Sequence, residues 1–142
     1  MLRNLLLALT LLLATTVSSV AEPPAGTMYI NPQCGCCLGH ADYLRQHGFD
    51  ISVKETADMS LIRRQHGISE RFEGCHIMLI QGYVVEGHVP ASAIKQLLAE
   101  RPKIKGISLP GMPEGSPGMT GTKTEPFKIL EISNEAKVFA IE

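Results

Sequence analysis

Apolar residues along this chain follow two rhythms, and the switching between them lays out the elements. Thr27 to Ile30 is a strand-like run closed by Asn31-Pro32, and Ile51 and Val53 alternate with polar neighbours as a second strand. Between these runs Leu38, Ala41 and Leu44 recur at helical spacing, and Gly48 stands where a C-terminal cap belongs. Asp58 is placed to cap a helix running through Met59 and Ile62 to His66, with Gly67 ending it. Ile77 to Ile80 and Tyr83 to Glu86 flank Gln81-Gly82, which predicts a tight hairpin. Pro90 can open a helix whose apolar side is Ala91, Ile94, Leu97 and Leu98.

The predicted order is therefore β-α-β-α-β-β-α, an α/β domain that resembles the thioredoxin fold. That assignment rests on the order together with a cysteine pair at the start of the first helix; periodicity alone supports only a small α/β domain. Beyond Pro102 the character changes. Pro110 to Pro126 holds four glycines and four prolines in 17 residues, so neither a helix nor a central strand persists there. Met112 and Met119 are the large apolar side chains of this Gly/Pro/Met-rich loop. Phe127 to Ile132 and Lys137 to Ile141 then read as a C-terminal β-hairpin turning at Ser133-Asn134.

The first 21 of the 142 residues have the pattern of an export signal. Arg3 supplies the positive start, Leu5 to Ala14 the apolar run, and Ser19-Val20-Ala21 a small-residue cleavage site. That run is short for a bilayer span of roughly 20 residues. The expected mature protein is one domain, residues 22–142, exported and free of the membrane after cleavage. A net charge of −1 without a basic run leaves no footprint for nucleic acid. Export would place the four cysteines where disulfides persist.

Three of those cysteines, Cys34, Cys36 and Cys37, lie within four residues at a strand-to-helix turn. The positive end of a helix dipole favours thiolate there, the form that attacks disulfides and binds soft metals. Three readings stay open: soft-metal binding, disulfide exchange by Cys34 and Cys37, and a structural bridge. The extra Cys36 suits the first, because a third thiol offers competing disulfides to an oxidoreductase. Cys75, with His76 at the start of the third predicted strand, would face the cysteine turn in a thioredoxin-like fold. Redox members of that fold commonly carry a cis-proline at this point, and this chain has none. An all-cysteine zinc site matches poorly, since structural zinc sites pair CxxC units or set histidines at fixed spacing. Thiolate with the imidazole of His88 and the thioethers of Met112 and Met119 points to copper. The plainer alternatives are a hydrogen-bonded histidine and loop-anchoring methionines. His40 falls one helical turn beyond Cys37, near the site, whereas His47 and His66 read as helix-end residues with no assigned role.

The segments Cys34-Gly35-Cys36-Cys37, Cys75-His76, Gly82 to Pro90, Leu109 to Pro113 and Gly115 to Met119 together resemble the CopG-type copper-resistance proteins of the Gram-negative periplasm. The resemblance runs from about Tyr29 to Phe139. It implies a thioredoxin-like, copper-binding protein with Cys34, Cys36, Cys37 and Cys75 as ligands and His88, Met112 and Met119 as additional ones. It further implies a cycle between thiols and disulfide through Cys34 and Cys37. The crowded soft thiolates themselves point to Cu(I), with bridging sulfurs joining more than one ion in a multinuclear cluster, and to coupled thiol or copper redox. Copper ions and periplasmic copper-handling or redox proteins would be the partners. The alternatives are a thiol-disulfide oxidoreductase and a passive copper chaperone. The family pattern has an aromatic residue where His40 stands and often a histidine where Tyr43 stands, so the surroundings of the site differ here.

Overall fold

A computed structural model describes residues 21–142; the proposed export signal, but for Ala21, lies outside them. In chain order the elements are β1 (Ala25–Ile30), α1 (Gly35–Gln46), β2 (Asp50–Glu55), α2 (Met59–His66), a 3-10 turn (Glu70–Phe72), β3 (Ile77–Ile80), β4 (Tyr83–Glu86), α3 (Ala91–Glu100), β5 (Gly106–Ser108), β6 (Lys128–Glu131) and β7 (Val138–Ile141). The expected β-α-β-α-β-β-α order and the terminal hairpin are both present.

All seven strands join one sheet in the order β2-β1-β3-β4-β5-β6-β7. β1 pairs in parallel with β2 and antiparallel with β3, and β3 and β4 form the hairpin. Gln81 and Gly82 make its turn with φ of 46° and 87°, the paired positive φ that matches the twist of a two-residue hairpin. β5 is an element the hydrophobic pattern did not reveal. It is three residues long and holds Gly106 and Ser108, so its sequence carries little strand signal. Its place comes from parallel pairing with β4 and from the Ser108 hydroxyl, which donates to the Phe72 carbonyl at 2.7 Å.

Alternation along the central strands gives the sheet two apolar faces. Met28, Ile30, Met78, Ile80, Val85 and Ile107 face Leu44 of α1 and Ile94 and Leu97 of α3. Ile77 and Val84 face Phe72 and Ile68, with Met59 and Ile62 of α2 packed against them. Burying a side chain such as Leu44 or Ile94 completely stabilises the fold by about 1.5–3 kcal/mol. The two covering layers hold the ends of β1, β3 and β4 in fixed relation, and the candidate site is built at those ends.

Candidate metal centre

The cysteine turn begins where β1 stops. The Asn31 carbonyl accepts from Cys34 N at 2.9 Å, and Asn31 Oδ1 accepts from Gln33 N at 3.0 Å. Pro32 sits inside that turn, where its fixed φ is pre-set for the bend. Cys34 is then the N-cap of α1, placing Cys36 and Cys37 in the first helical turn.

Cys75 arrives from the other side, on the segment leading into β3. A buried ion pair fixes that segment: Arg63 of α2 donates to Glu86 Oε1 at 2.8 Å and to the Gly74 carbonyl at 3.0 Å, while Gly74 N donates to the same Glu86 oxygen at 2.8 Å. A Cβ on Gly74 would stand 2.6 Å from the Gly87 Cα, so only glycine lets the two backbones approach this closely. Burial raises the Glu86 carboxyl above its ordinary range, against the pull of Arg63.

The four sulfurs converge. Cys75 Sγ lies 2.9 Å from Cys34 Sγ, 3.2 Å from Cys37 Sγ and 3.5 Å from Cys36 Sγ. Cys34 and Cys37 Sγ stand at bonding distance. Burial pushes the Cys75 thiol up to about 12, and the adjoining Cys36 sulfur adds to the rise. Without a cation at the site Cys75 is therefore a neutral thiol, and metal binding must displace its proton.

Behind the sulfurs lie three buried histidines, His40, His76 and His88. His40 Nδ1 is 2.8 Å from His76 Nε2, and His40 Nε2 is 3.0 Å from the Val89 carbonyl. His88 Nδ1 is 2.8 Å from the Pro117 carbonyl. Burial lowers all three: His40 falls to about 3 with help from nearby His88, His76 falls well below its ordinary value, and His88 falls against the pull of the Pro117 carbonyl. They are neutral rings at any pH near 7.

The Gly/Pro/Met-rich loop is anchored against this assembly. Gly111 N donates to the Glu73 carbonyl at 2.9 Å, Pro117 holds His88, and Gly118 lies so close to α1 that a Cβ on Gly39 would stand 2.7 Å from the Gly118 carbonyl oxygen. Met119 is half-buried with Sδ 3.2 Å from Ser116 Oγ, and Met112 is 53% exposed.

Two overlapping groups of side chains have their ligand atoms within 4.8 Å of one another: Cys34, Cys36, Cys37 and Cys75, and Cys37, Cys75, His76 and His88. The four predicted cysteines and His88 thus meet in space. His76 and His40 carried no assigned role in the sequence, although His76 adjoins Cys75 and His40 follows Cys37 by one turn. His47 is exposed and His66 half-buried, both at helix ends. Thiolate and imidazole donors, several of them buried, fit a soft or borderline metal ion.

Fold and site together define a class: a thioredoxin-like domain whose first helix starts at a group of cysteines and histidines that could hold a metal ion. Residues 72–119 match a family model described as a protein of unknown function, DUF411. Two solved structures, titled copper resistance protein CopG form 1 and form 2, are each 35% identical to the chain and cover 85% of it. The matches take in 98% and 99% of those chains, with TM-scores of 0.77 and 0.78. No curated protein sequence matches the chain. The chain belongs to the CopG copper-resistance protein family.

Proposed function

We propose that this protein binds copper as Cu(I) in the periplasm, through Cys34, Cys36, Cys37 and Cys75, as part of copper resistance. The observation that carries the reading is the approach of Cys75 Sγ to within 3.5 Å of all three sulfurs of the turn. Thiolate is the donor type that selects Cu(I), and crowded thiolates suit bridging between ions, hence more than one ion per chain. His88 offers a buried imidazole beside the sulfurs, and Met112 and Met119 are the thioethers that the Gly/Pro/Met-rich loop would add. Export rests on the apolar N-terminal run and on membership of the family. Among the described residues no helix is long and apolar enough to cross a membrane.

Thiol redox gates the binding in this reading. With Cys34 and Cys37 joined, two of the four thiolates are withdrawn. Two electrons and two protons from an external dithiol restore them. The Cys-x-x-Cys pair Cys34 and Cys37 at the start of α1 also supports a second reading, a disulfide oxidoreductase acting on protein thiols. Against it, the sequence Gly74-Cys75-His76 has no proline where redox relatives of the fold commonly carry a cis-proline.

An anaerobic Cu(I) titration of the reduced protein lacking residues 1–21, against a competing chelator, separates the two. Several tightly held Cu(I) per chain, lost when the cysteines are oxidised, is the expected result. No uptake beyond the chelator's, with copper-independent disulfide reduction, would move the oxidoreductase to first place.

A further inference from the structure

The hydrogen bonds of the histidine group fix where its protons sit. A backbone carbonyl only accepts, so His40 Nε2, 3.0 Å from the Val89 carbonyl, must carry a proton. In the neutral ring His40 Nδ1 is then bare, and the 2.8 Å contact forces His76 Nε2 to donate to it. This leaves His76 Nδ1 bare. By the same rule the Pro117 carbonyl holds a proton on His88 Nδ1 and leaves Nε2 bare. His76 Nδ1 and His88 Nε2 are both buried side-chain nitrogens with no hydrogen-bond partner. Their residues are 0% and 1% exposed. A buried polar atom without a partner costs about 1–3 kcal/mol. Two such atoms, both lone pairs rather than N–H groups, belong to residues whose ligand atoms lie within 4.8 Å of Cys37 and Cys75 Sγ.

We propose that His76 is a metal ligand through Nδ1, and that His40 is the positioning residue that keeps this nitrogen unprotonated. The reduced protein then presents Cys37, Cys75, His76 and His88 as a two-sulfur, two-nitrogen set for a borderline divalent ion. The set shares Cys37 and Cys75 with the all-sulfur group but lies on the buried side of them. Imidazole in place of two thiolates shifts preference from a monovalent soft ion toward divalent ions. The Val89 carbonyl, acting through His40, does for His76 what a second partner commonly does for a metal-bound histidine: it fixes tautomer and ring orientation. The proposal builds on the reading of the cysteines as metal thiolates, but its first test is independent of copper.

Long-range imidazole ¹⁵N NMR spectra of the reduced, metal-free protein should show His76 protonated on Nε2 and His88 on Nδ1. His76 protonated on Nδ1 would overturn the proposal, whatever the Cu(I) titration gives. Anaerobic Co(II) then serves as the probe ion, read by its thiolate charge-transfer and ligand-field bands. His40→Phe keeps a ring but has no acceptor, so His76 should populate both tautomers and Co(II) affinity should fall roughly 10- to 100-fold. His40→Gln can donate to Val89 and accept from His76, and should recover most of that loss. Unchanged Co(II) affinity in His76→Ala would remove His76 as a ligand. Should a variant fail to fold, the wild-type tautomers and the Co(II) spectrum still decide the matter.

Discussion

The N-termini of α1 and α2 leave from similar backbone and are finished differently. Cys34 precedes α1 at φ −89°, ψ 86°, and Asp58 precedes α2 at φ −114°, ψ 77°. Asp58 Oδ1 accepts from Leu61 N at 2.8 Å, whereas Cys34 makes no side-chain capping bond. A capping side chain is typically worth about 1 kcal/mol. α1 does without it and rests on packing, with Cys37, His40, Ala41 and Leu44 buried, while α2 buries no residue fully. A helix secured by its buried face can leave its positive end open to sulfur chemistry; a helix with little burial depends on its cap.

The open terminus of α1 depends most on the sulfur it faces. Cys75→Ser should abolish tight Cu(I) binding, a loss larger than the roughly 10- to 100-fold typical of an outer partner. Competition titration measures the loss, and circular dichroism should show the fold retained, because Cys75 lies outside every helix and strand. Retained affinity would mean that the cysteine turn binds copper without help from β3.

Acid tests the packing that replaces the cap on α1. The folded-state pKa of His40, His76 and His88 is depressed, so their contribution to stability is present above the unfolded value near 6.5 and is lost as pH falls. For His40 the window runs from 6.5 down to about 3. Each histidine held neutral while the unfolded chain protonates costs about 1.4 kcal/mol per pH unit. Glu86 acts in the opposite sense: its raised pKa favours the folded state at low pH, and that contribution is lost as pH rises through the folded value. Three histidines against one carboxyl give a metal-free protein that loses stability steeply below pH 6.5, measurable by urea midpoints. His40→Phe should flatten the slope. A flat profile in the wild type would show that the rings charge inside the fold.

The smallest effects come from exchanging the two caps. Asp58→Ala should cost about 1 kcal/mol and leave copper affinity untouched. Cys34→Asp should make the reduced protein more stable by up to about 1 kcal/mol while weakening copper binding. Equilibrium denaturation of both variants tests whether α1 gives up a cap that its backbone could accept.

These two termini also mark how far the amino-acid order can be read. The Asp58 cap, the Gly67 stop at φ 61°, the Gln81-Gly82 turn and the cysteine turn are all legible, because each depends on residues within a few positions of one another. The same locality explains what was missed. β5 is too short to carry a period, and its existence depends on the edge that β4 offers. His40 and His76 are 36 positions apart, and no local pattern marks either as the other's partner.

By itself, then, the order of residues determined the succession of strands and helices, the caps and turns, and the placing of three thiols at a helix start. Tertiary structure alone decided that the Gly/Pro/Met-rich loop lies against α1 and His88, and that three histidines form one buried cluster. The physical reason is register. Pairing of Tyr29 with Ile77 brings the end of β1 beside the start of β3, and from there the Cys34 to Cys75 and His40 to His76 contacts follow. Periodicity indicates which face of a strand is buried; only the packed sheet determines which residues meet at its end.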